Sequence, residues 1–179
     1  MKKEVVNFLE QTPWTHFITL EFPKVETAIG RQRFLSYDNE NDHYESAKWL
    51  RKWRTRLDSA LLSDRQCRKG RSADLKMFYV PEPTPGTRWL HYHLLAAVPR
   101  PHIHKFEKHA GDKWRKTLAA NAFCFRQNND AFSASRIPIL YDCRPIYDRD
   151  GATGYTCKTL PDTIASHFGQ VSFERFDFL

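Results

Sequence analysis

Two apolar segments on either side of a proline-rich stretch constrain the fold of this chain more than any other feature. Residues 75–80 and 88–98 are rich in aliphatic and aromatic side chains, and residues 81–86 between them include three prolines and a glycine. Apolar runs of this length, bounded by turn residues, are typical of strands. Because proline cannot donate a hydrogen bond to a ladder, we interpret 81–86 as the connection. Two strands joined this closely predict an antiparallel hairpin.

Strand and helix patterns alternate along the rest of the chain. Apolar runs predict further strands at 16–22, near 137–142 and near 171–177. Helical spacing predicts helices at 46–63 with Ser46 as the N-cap, at about 102–120, and near 151–160. The length of 179 residues suits one domain, and we find no linker within 1–179. The sequence therefore predicts an α+β fold: a single antiparallel sheet of about five strands with packed helices.

The first of these helices contains two tryptophans whose role has two explanations. Trp49 and Trp53 recur at the spacing of the buried face of a helix. They also lie among basic residues, where tryptophan can stack on the bases of a nucleic acid. We interpret both as core residues, with base stacking as the alternative.

The positive charge of the chain is concentrated in one stretch. Lysine and arginine number 28 against 21 aspartates and glutamates, a formal net charge of +7, and nine bases against two acids lie between Lys48 and Arg71. A localised basic patch predicts an acidic partner, with nucleic acid first and an anionic membrane surface second. A solvated helix face is the alternative explanation.

Targeting, membrane and nucleotide-hydrolysis signals are missing from the sequence. No apolar run approaches the roughly 20 residues of a spanning helix, and no apolar segment follows the basic residues at the start of the chain. The four cysteines are scattered without a CxxC pair. The phosphate-binding pattern Gly-x-x-x-x-Gly-Lys-Ser/Thr does not occur. We therefore expect a reduced, cytoplasmic protein with no membrane partner and no helicase domain.

A His-x-His pair inside the longest apolar strand is the first candidate for chemistry. His91 and His93 flank Tyr92, and residues two apart on a strand point to the same face, so both imidazoles can reach one ion. Glu82 precedes His91 by nine residues, and the hairpin brings it back beside the histidines. Two imidazoles and a carboxylate favour Mg²⁺ or Mn²⁺ over structural zinc. The alternatives are Glu21 as the third ligand, and a polar sheet face without a metal.

A tyrosine and a lysine near the end of the chain are the second candidate. Tyr155 and Lys158 are three residues apart, which places both on one face of a helix, and Gly151 and Gly154 leave the backbone before the tyrosine uncrowded. A phenol with a pKa of about 10 needs a nearby cation or base to act as a nucleophile near neutral pH, and Lys158 can supply that cation. The alternatives are an ordinary helix pair, and Tyr147 as the nucleophile.

Three short motifs follow one another in a recognisable order. They are Phe17-Ile18-Thr19-Leu20, then Leu90-His91-Tyr92-His93-Leu94-Leu95, then Tyr155-Thr156-Cys157-Lys158. This order resembles that of the HUH endonucleases, specifically the single-tyrosine Rep proteins that initiate rolling-circle replication. The resemblance covers residues 15 to 158, nearly the whole chain. Glu21 departs from the first motif, where a threonine or a small polar residue is more usual.

The resemblance implies a ferredoxin-like nuclease fold and a mechanism. Tyr155 would attack a phosphodiester of single-stranded or hairpin origin DNA, leaving a 5′-phosphotyrosyl link and a free 3′-OH. His91, His93 and Glu82 would hold the divalent metal, Mn²⁺ or Mg²⁺, and Lys158 would position the phosphate or the tyrosinate. A helicase and a polymerase of a bacterial host would continue replication. Four bases of the basic stretch would contact the DNA backbone: Arg65, Arg68, Lys69 and Arg71.

Two other functions fit the same residues. A single-tyrosine transposase or a small relaxase would use the same chemistry, although the lysine of Tyr-x-x-Lys favours a Rep protein, since the transposases usually carry glutamine in the third motif. A non-enzymatic nucleic-acid-binding module of ferredoxin-like shape would need neither metal nor nucleophile. Metal-dependent cleavage of a single-stranded oligonucleotide separates this module from both enzymes.

Overall fold

The structure is a computed structural model that describes residues 9, 11–22, 24–26, 32–63, 73–121, 141–148 and 151–152. Its strands are β1 (His16–Glu21), β2 (Val25–Glu26), β3 (Gln32–Arg33), β4 (Lys76–Pro83), β5 (Leu90–Ala97) and β6 (Tyr141–Pro145). Its long helices are α1 (Glu40–Leu61) and α2 (Ile103–Asn121), and a 3-10 turn at Arg100–His102 leads into α2. The predicted α+β class is confirmed.

Four antiparallel strands in the order β4–β5–β1–β6 form the main sheet. The predicted hairpin is confirmed, because β4 and β5 pair antiparallel from Lys76 opposite Ala97 to Pro83 opposite Leu90. The described sheet has four strands where about five were predicted, and the predicted strand near 171–177 lies outside the described residues. β6 continues to residue 145, three residues beyond the predicted end. The short strands β2 and β3 form a separate ladder.

The interpretation of the proline-rich stretch as a connection is wrong at its start. β4 runs through Pro81 to Pro83. β5 is the one partner of β4 among the described strands, so the outer edge of β4 tolerates residues without an N–H. Opposite Pro83, the Leu90 N–H points away from β4 and donates to the Leu35 carbonyl (2.8 Å). Proline therefore costs this ladder no hydrogen bond, and the longer strand carries Glu82 into the sheet.

Helix α1 begins six residues before the predicted 46–63 helix, and Ser46 is not its cap. The N-cap is Asn39, whose side chain accepts a hydrogen bond from the Asn41 N–H (3.0 Å). Ser46 is buried inside the helix, where its hydroxyl lies 2.9 Å from the Tyr92 hydroxyl. The first turn of α1 is polar, so apolar periodicity alone places the start of the helix too late.

Both long helices pack on one face of the sheet. Trp49 and Trp53 are buried there, which confirms their interpretation as core residues, and the Trp53 indole N–H donates to the Ala110 carbonyl of α2 (2.9 Å). Four α2 residues at helical spacing are fully buried in the same core: Phe106, Ala110, Trp114 and Leu118. None of the described helices is both long and apolar enough to cross a membrane.

The opposite face of the sheet carries a smaller apolar cluster, which we call the second cluster. Its buried members are Leu9, Trp14, Phe78, Val80, Leu95 and Ala97. Phe17 and Ala152 are among the residues that pack against it. The Asp148 carboxylate accepts from the Gly151 N–H (3.1 Å), and the Asp148 carbonyl accepts from the Ala152 N–H (3.2 Å). Of the predicted helix near 151–160, these two residues are described, and they are helical.

Candidate metal centre

Three potential metal ligands lie side by side at one end of the second-cluster face. Glu82 on β4 is directly opposite His91 on β5, and His93 follows two residues later on the same face. One ligand atom from each of the three lies within 4.8 Å of those from the other two. The neighbouring strands are held by ladder hydrogen bonds, so the backbone fixes the separation of the three side chains.

The distances between these ligand atoms suit a single ion. Nε2 of His91 lies 3.2 Å from Nε2 of His93. Oε2 of Glu82 lies 3.5 Å from Nε2 of His93 and 4.0 Å from Nε2 of His91. Ligand atoms at about 2.1 Å from an ion lie about 3.0 Å apart at 90° and about 3.4 Å apart at the tetrahedral angle. A small inward rotation of the Glu82 side chain completes the set, so these residues could hold a divalent metal.

A threonine stands behind each histidine ring. The Thr19 hydroxyl lies 3.0 Å from Nδ1 of His93, and the Thr84 hydroxyl lies 3.2 Å from Nδ1 of His91. A hydroxyl that accepts the Nδ1 proton leaves Nε2 with its lone pair, the form in which imidazole binds a metal. Thr19 belongs to the first motif, which gives it no role from sequence alone, and no sequence pattern marks Thr84. Only the register between strands brings these hydroxyls to the histidines.

Burial keeps both imidazoles in the neutral form that a metal requires. The two side chains are 13% and 9% exposed. Burial lowers the pKa of His91, and the neighbouring His93 lowers it further, against the opposing effect of Glu82. Burial also lowers the pKa of His93. A cation therefore displaces few protons when it binds at neutral pH.

Glu21, the competing third ligand, occupies a symmetrical position but does not join the group. It lies opposite His91 on β1, just as Glu82 does on β4. Its side chain is exposed, and it contributes no ligand atom to the group found among the described residues. The geometry therefore favours Glu82.

Tyr92 and Tyr79 are unsuited to act as the nucleophile at this centre. Tyr92 points to the opposite face, as the strand periodicity predicts, and packs edge-on against Phe22. Burial raises its pKa to about 12, although the Ser46 hydroxyl opposes the shift. Burial raises the pKa of Tyr79 as well. Tyr147, by contrast, is 94% exposed.

Several predicted site residues lie outside the described residues: Tyr155, Lys158, Arg65, Arg68, Lys69 and Arg71. The helical part of the basic stretch is described, and it lies on α1, behind the sheet as seen from the metal centre. Some of its bases are engaged within the helical layer, since Arg54 pairs with Asp58 (3.2 Å) and Arg56 donates to Thr117 (2.8 Å). A DNA strand bound at the metal centre would have to wrap around the sheet to contact these α1 bases.

Comparison with known proteins finds a distant structural likeness. No family model and no curated protein sequence matches the chain. The N-terminal nuclease domain of non-structural protein 1 from minute virus of mice is similar at 14% identity and a TM-score of 0.36, over 87% of this chain and 70% of that one. That domain coordinates Zn²⁺ in its active-site pocket and recognises DNA at the origin of replication. A likeness at this TM-score establishes neither a shared fold nor a shared function.

Proposed function

We propose that this protein is a metal-dependent, single-stranded DNA endonuclease and strand transferase of the HUH superfamily. Its role would be that of a single-tyrosine Rep protein that nicks the replication origin of a plasmid or phage in a bacterial cytoplasm. The observation that carries the proposal is the convergence of Glu82, His91 and His93 on one point of a sheet face. The order of motifs along the chain supplies the nucleophile, Tyr155.

The three ligands would bind one Mn²⁺ or Mg²⁺ ion. The neutral histidines donate through Nε2, and Thr19 and Thr84 hold the rings in that orientation. The three residues would supply fewer ligands than Mg²⁺ or Mn²⁺ takes, so a phosphate oxygen could bind the ion as well. When bound, the ion supplies Lewis-acid polarisation of the scissile phosphate and neutralises charge in the in-line displacement.

Tyr155 would perform the nucleophilic step. Its phenol loses a proton to solvent, its oxygen forms a bond to phosphorus, and the bond from phosphorus to the 3′ oxygen breaks. The 3′ oxygen leaves with the bonding electrons and takes up a proton as the free 3′-OH. Lys158, three residues after Tyr155 in the sequence, would stabilise the phenolate or the phosphate. Religation runs the same step in reverse.

The packing of Ala152 supports this choice of nucleophile. Ala152 contacts the second cluster, on the face of the sheet that carries the metal ligands. Tyr155 follows three residues later, a stretch of chain that spans at most about 11 Å. The last described residue before Tyr155 therefore lies on the face where the proposed mechanism needs the tyrosine.

The proposed partners of the protein follow from the product of cleavage, a nicked DNA strand. A free 3′-OH at the nick can prime a host polymerase, and a separate host helicase would unwind the duplex. Single-stranded or hairpin DNA at the origin would contact the basic stretch through Arg65, Arg68, Lys69 and Arg71. The net charge of +7 supports a polyanionic partner.

Trapping of the covalent intermediate tests the proposal. Because the origin sequence is not known, the wild-type protein is incubated with Mn²⁺ and a labelled pool of random single-stranded oligonucleotides, then separated on a denaturing gel. We expect a labelled adduct whose DNA-linked peptide contains Tyr155. Tyr155→Phe should lose the adduct, and Tyr147→Phe should keep it.

The possible failures of this experiment are distinct. An adduct on the peptide that contains Tyr147 would contradict the choice of nucleophile. The absence of both cleavage and adduct in the wild-type protein would favour the non-enzymatic binding module. If the selected sequences are transposon ends that recombine, and not a replication origin, the role as a Rep protein is wrong while the chemistry stands.

A further inference from the structure

Two aromatic rings form an exposed stack beside the metal centre. The rings of Phe34 and Trp89 lie 3.7 Å apart between centroids at an interplanar angle of 20°. Trp89 is 41% exposed, one of the few large apolar side chains on the surface of the described residues. Because Phe34 covers one face of the indole, the exposed area belongs to its other face and its edges. The stack leaves a flat aromatic surface in contact with water.

The stack lies on the same face of the sheet as the metal ligands. Trp89 directly precedes β5 and continues its alternation, so it shares a face with His91, two residues and about 6.6 Å along the strand. The backbone connects them as well: the Trp89 carbonyl accepts from the N–H of Thr84, the residue that follows β4 (2.8 Å). Thr84 is also the residue whose hydroxyl contacts His91. The aromatic surface and the ligand set are therefore parts of one rigid hairpin.

Two ion pairs hold the stack in place from either side. Arg33, next to Phe34, pairs with the buried Asp42 of α1, and Asp42 also accepts from the Ser36 N–H (2.8 Å). Arg88, next to Trp89, pairs through two nitrogens with Asp38. Such a bidentate pair has a defined geometry. Both rings are therefore positioned before any ligand arrives, which lowers the entropic cost of binding to them.

A lysine lies beside the stack. Lys24 Nζ lies 5.3 Å from the centre of the Phe34 ring. Arg33 and Arg88 alternate with the two rings along their segments, and their charges are balanced by Asp42 and Asp38. Aromatic rings interleaved with basic residues are the combination by which proteins bind single-stranded nucleic acid, because the rings stack on bases and the cations follow the phosphates.

We propose that Phe34 and Trp89 form a stacking subsite for a base of the single-stranded DNA whose scissile phosphate lies at the metal centre. This inference rests on the proposed function for the identity of the strand and deepens it by naming where the DNA is held. A base on the free face of Trp89 fixes the position of the neighbouring phosphate with respect to His91. The subsite is indifferent to sequence, since every base has an aromatic face.

Binding measured without metal tests the subsite separately from catalysis. A fluorescein-labelled single-stranded oligonucleotide of about 20 nucleotides, longer than the site of a typical single-strand-binding fold, is titrated with protein in EDTA and followed by fluorescence anisotropy. Trp89→Ala should weaken the affinity about tenfold, which corresponds to about 1.4 kcal/mol. Trp89→Phe keeps an aromatic face and should stay within about threefold of the wild-type protein.

Two controls separate stacking from a general effect of removing an aromatic ring. Tyr44 is 60% exposed on α1, on the far side of the sheet, and Tyr44→Ala should leave the affinity unchanged. The affinity for a duplex of the same sequence should not respond to Trp89→Ala, because paired bases cannot stack on a protein ring. Equal losses in Trp89→Ala and Tyr44→Ala, or an unchanged affinity in Trp89→Ala, would overturn the subsite.

The outcomes also distinguish the subsite from the proposed function. If the wild-type protein forms the covalent adduct but Trp89→Ala binds single strands normally, the subsite is wrong and the nuclease stands. If single-strand binding depends on Trp89 but the wild-type protein does not cleave DNA, the stacking subsite stands and the proposed nuclease activity is wrong. If the wild-type protein does not bind single-stranded DNA, both are overturned.

Discussion

The hydroxyl oxygen of Thr19 lies 3.0 Å from Nδ1 of His93, on the neighbouring strand and directly opposite it in the ladder. The contact ties the first motif of the chain to the second. A hydroxyl in that position can accept the Nδ1 proton and so keep the lone pair on Nε2, where the Nε2 of His91 and the carboxylate of Glu82 converge. The strand that carries Thr19 therefore determines which nitrogen of His93 faces the metal centre.

Removal of this hydroxyl is expected to weaken metal binding without disturbing the fold. Thr19→Val keeps the shape of the side chain but loses the acceptor, and loss of a partner of this kind typically costs about 10- to 100-fold in metal affinity. We expect Mn²⁺ to bind about tenfold more weakly by isothermal titration calorimetry. Thr19→Ser, which restores the hydroxyl, should bind close to the wild-type value. Equal affinities for the Val and Ser variants would contradict the role of this hydroxyl.

The two histidines are expected to be indispensable for cleavage. His91→Ala combined with His93→Ala removes two of three ligands, so Mn²⁺ binding and DNA nicking should both be lost while the circular dichroism spectrum is kept. The chain offers a matched control in His102 and His104, a second His-x-His pair at the start of α2, where residues two apart diverge by about 200°. The double alanine variant of that pair should nick normally. Wild-type nicking by the first variant would rule out the metal centre.

The choice between the two acids opposite His91 can be measured directly. Glu82→Gln removes a charged ligand atom 3.5 Å from Nε2 of His93 and should weaken Mn²⁺ binding at least tenfold. Glu21→Gln changes an exposed side chain outside the ligand group, and should change the affinity less than about twofold. Both variants alter the net charge equally, so the comparison isolates coordination. A larger loss for Glu21→Gln would assign the third ligand to β1.

Four bases at the end of the basic stretch are expected to determine the salt dependence of DNA binding. Replacement of all four by serine should reduce the slope of log affinity against log salt by up to about 2.8, at about 0.7 per phosphate contact of a single strand. These are Arg65, Arg68, Lys69 and Arg71.

A control variant removes the same number of charges from the exposed surface of the two helices. It replaces Arg51, Lys52, Lys108 and Lys116 by serine. Its slope should match the wild-type slope, because α1 and α2 lie on the other side of the sheet from the metal centre. An equal reduction in both variants would show that net charge, and not a local contact, governs binding.

The metal-free protein is expected to lose stability as the pH falls below about 6.5. Burial lowers the pKa values of His91 and His93 in the folded state, so the unfolded chain binds more protons between those values and the unfolded value of about 6.5. The free energy of unfolding should therefore fall as the pH decreases through that window. Above it both states are neutral, and these residues should contribute no pH dependence.

Urea unfolding in EDTA at several pH values measures this effect. The double variant His91→Asn, His93→Asn should show a shallower dependence below about pH 6.5, since its side chains do not titrate. A steeper decline in the double variant than in the wild-type protein would have the wrong sign and would contradict the lowered pKa values.

The parts of the structure that follow from local periodicity could be predicted from the sequence. The hairpin, the burial of Trp53 and Trp114, and the opposite directions of His91 and Tyr92 all depend on side-chain alternation within one strand or one helix. Such patterns involve residues that are close together in the sequence, and the geometry of a strand or helix determines which face each side chain occupies. The α+β class follows from the same patterns.

Other features depend on which strands lie beside each other, and only the tertiary structure decided them. Glu82 and Glu21 both lie opposite His91, on the two strands that neighbour β5. The Glu82 side chain joins the ligand group, and the Glu21 side chain does not. The contact between Thr19 and His93 and the stack of Phe34 on Trp89 join residues more than 50 positions apart. Register between distant segments results from packing of the whole sheet against its helices, and periodicity within a segment carries no information about it.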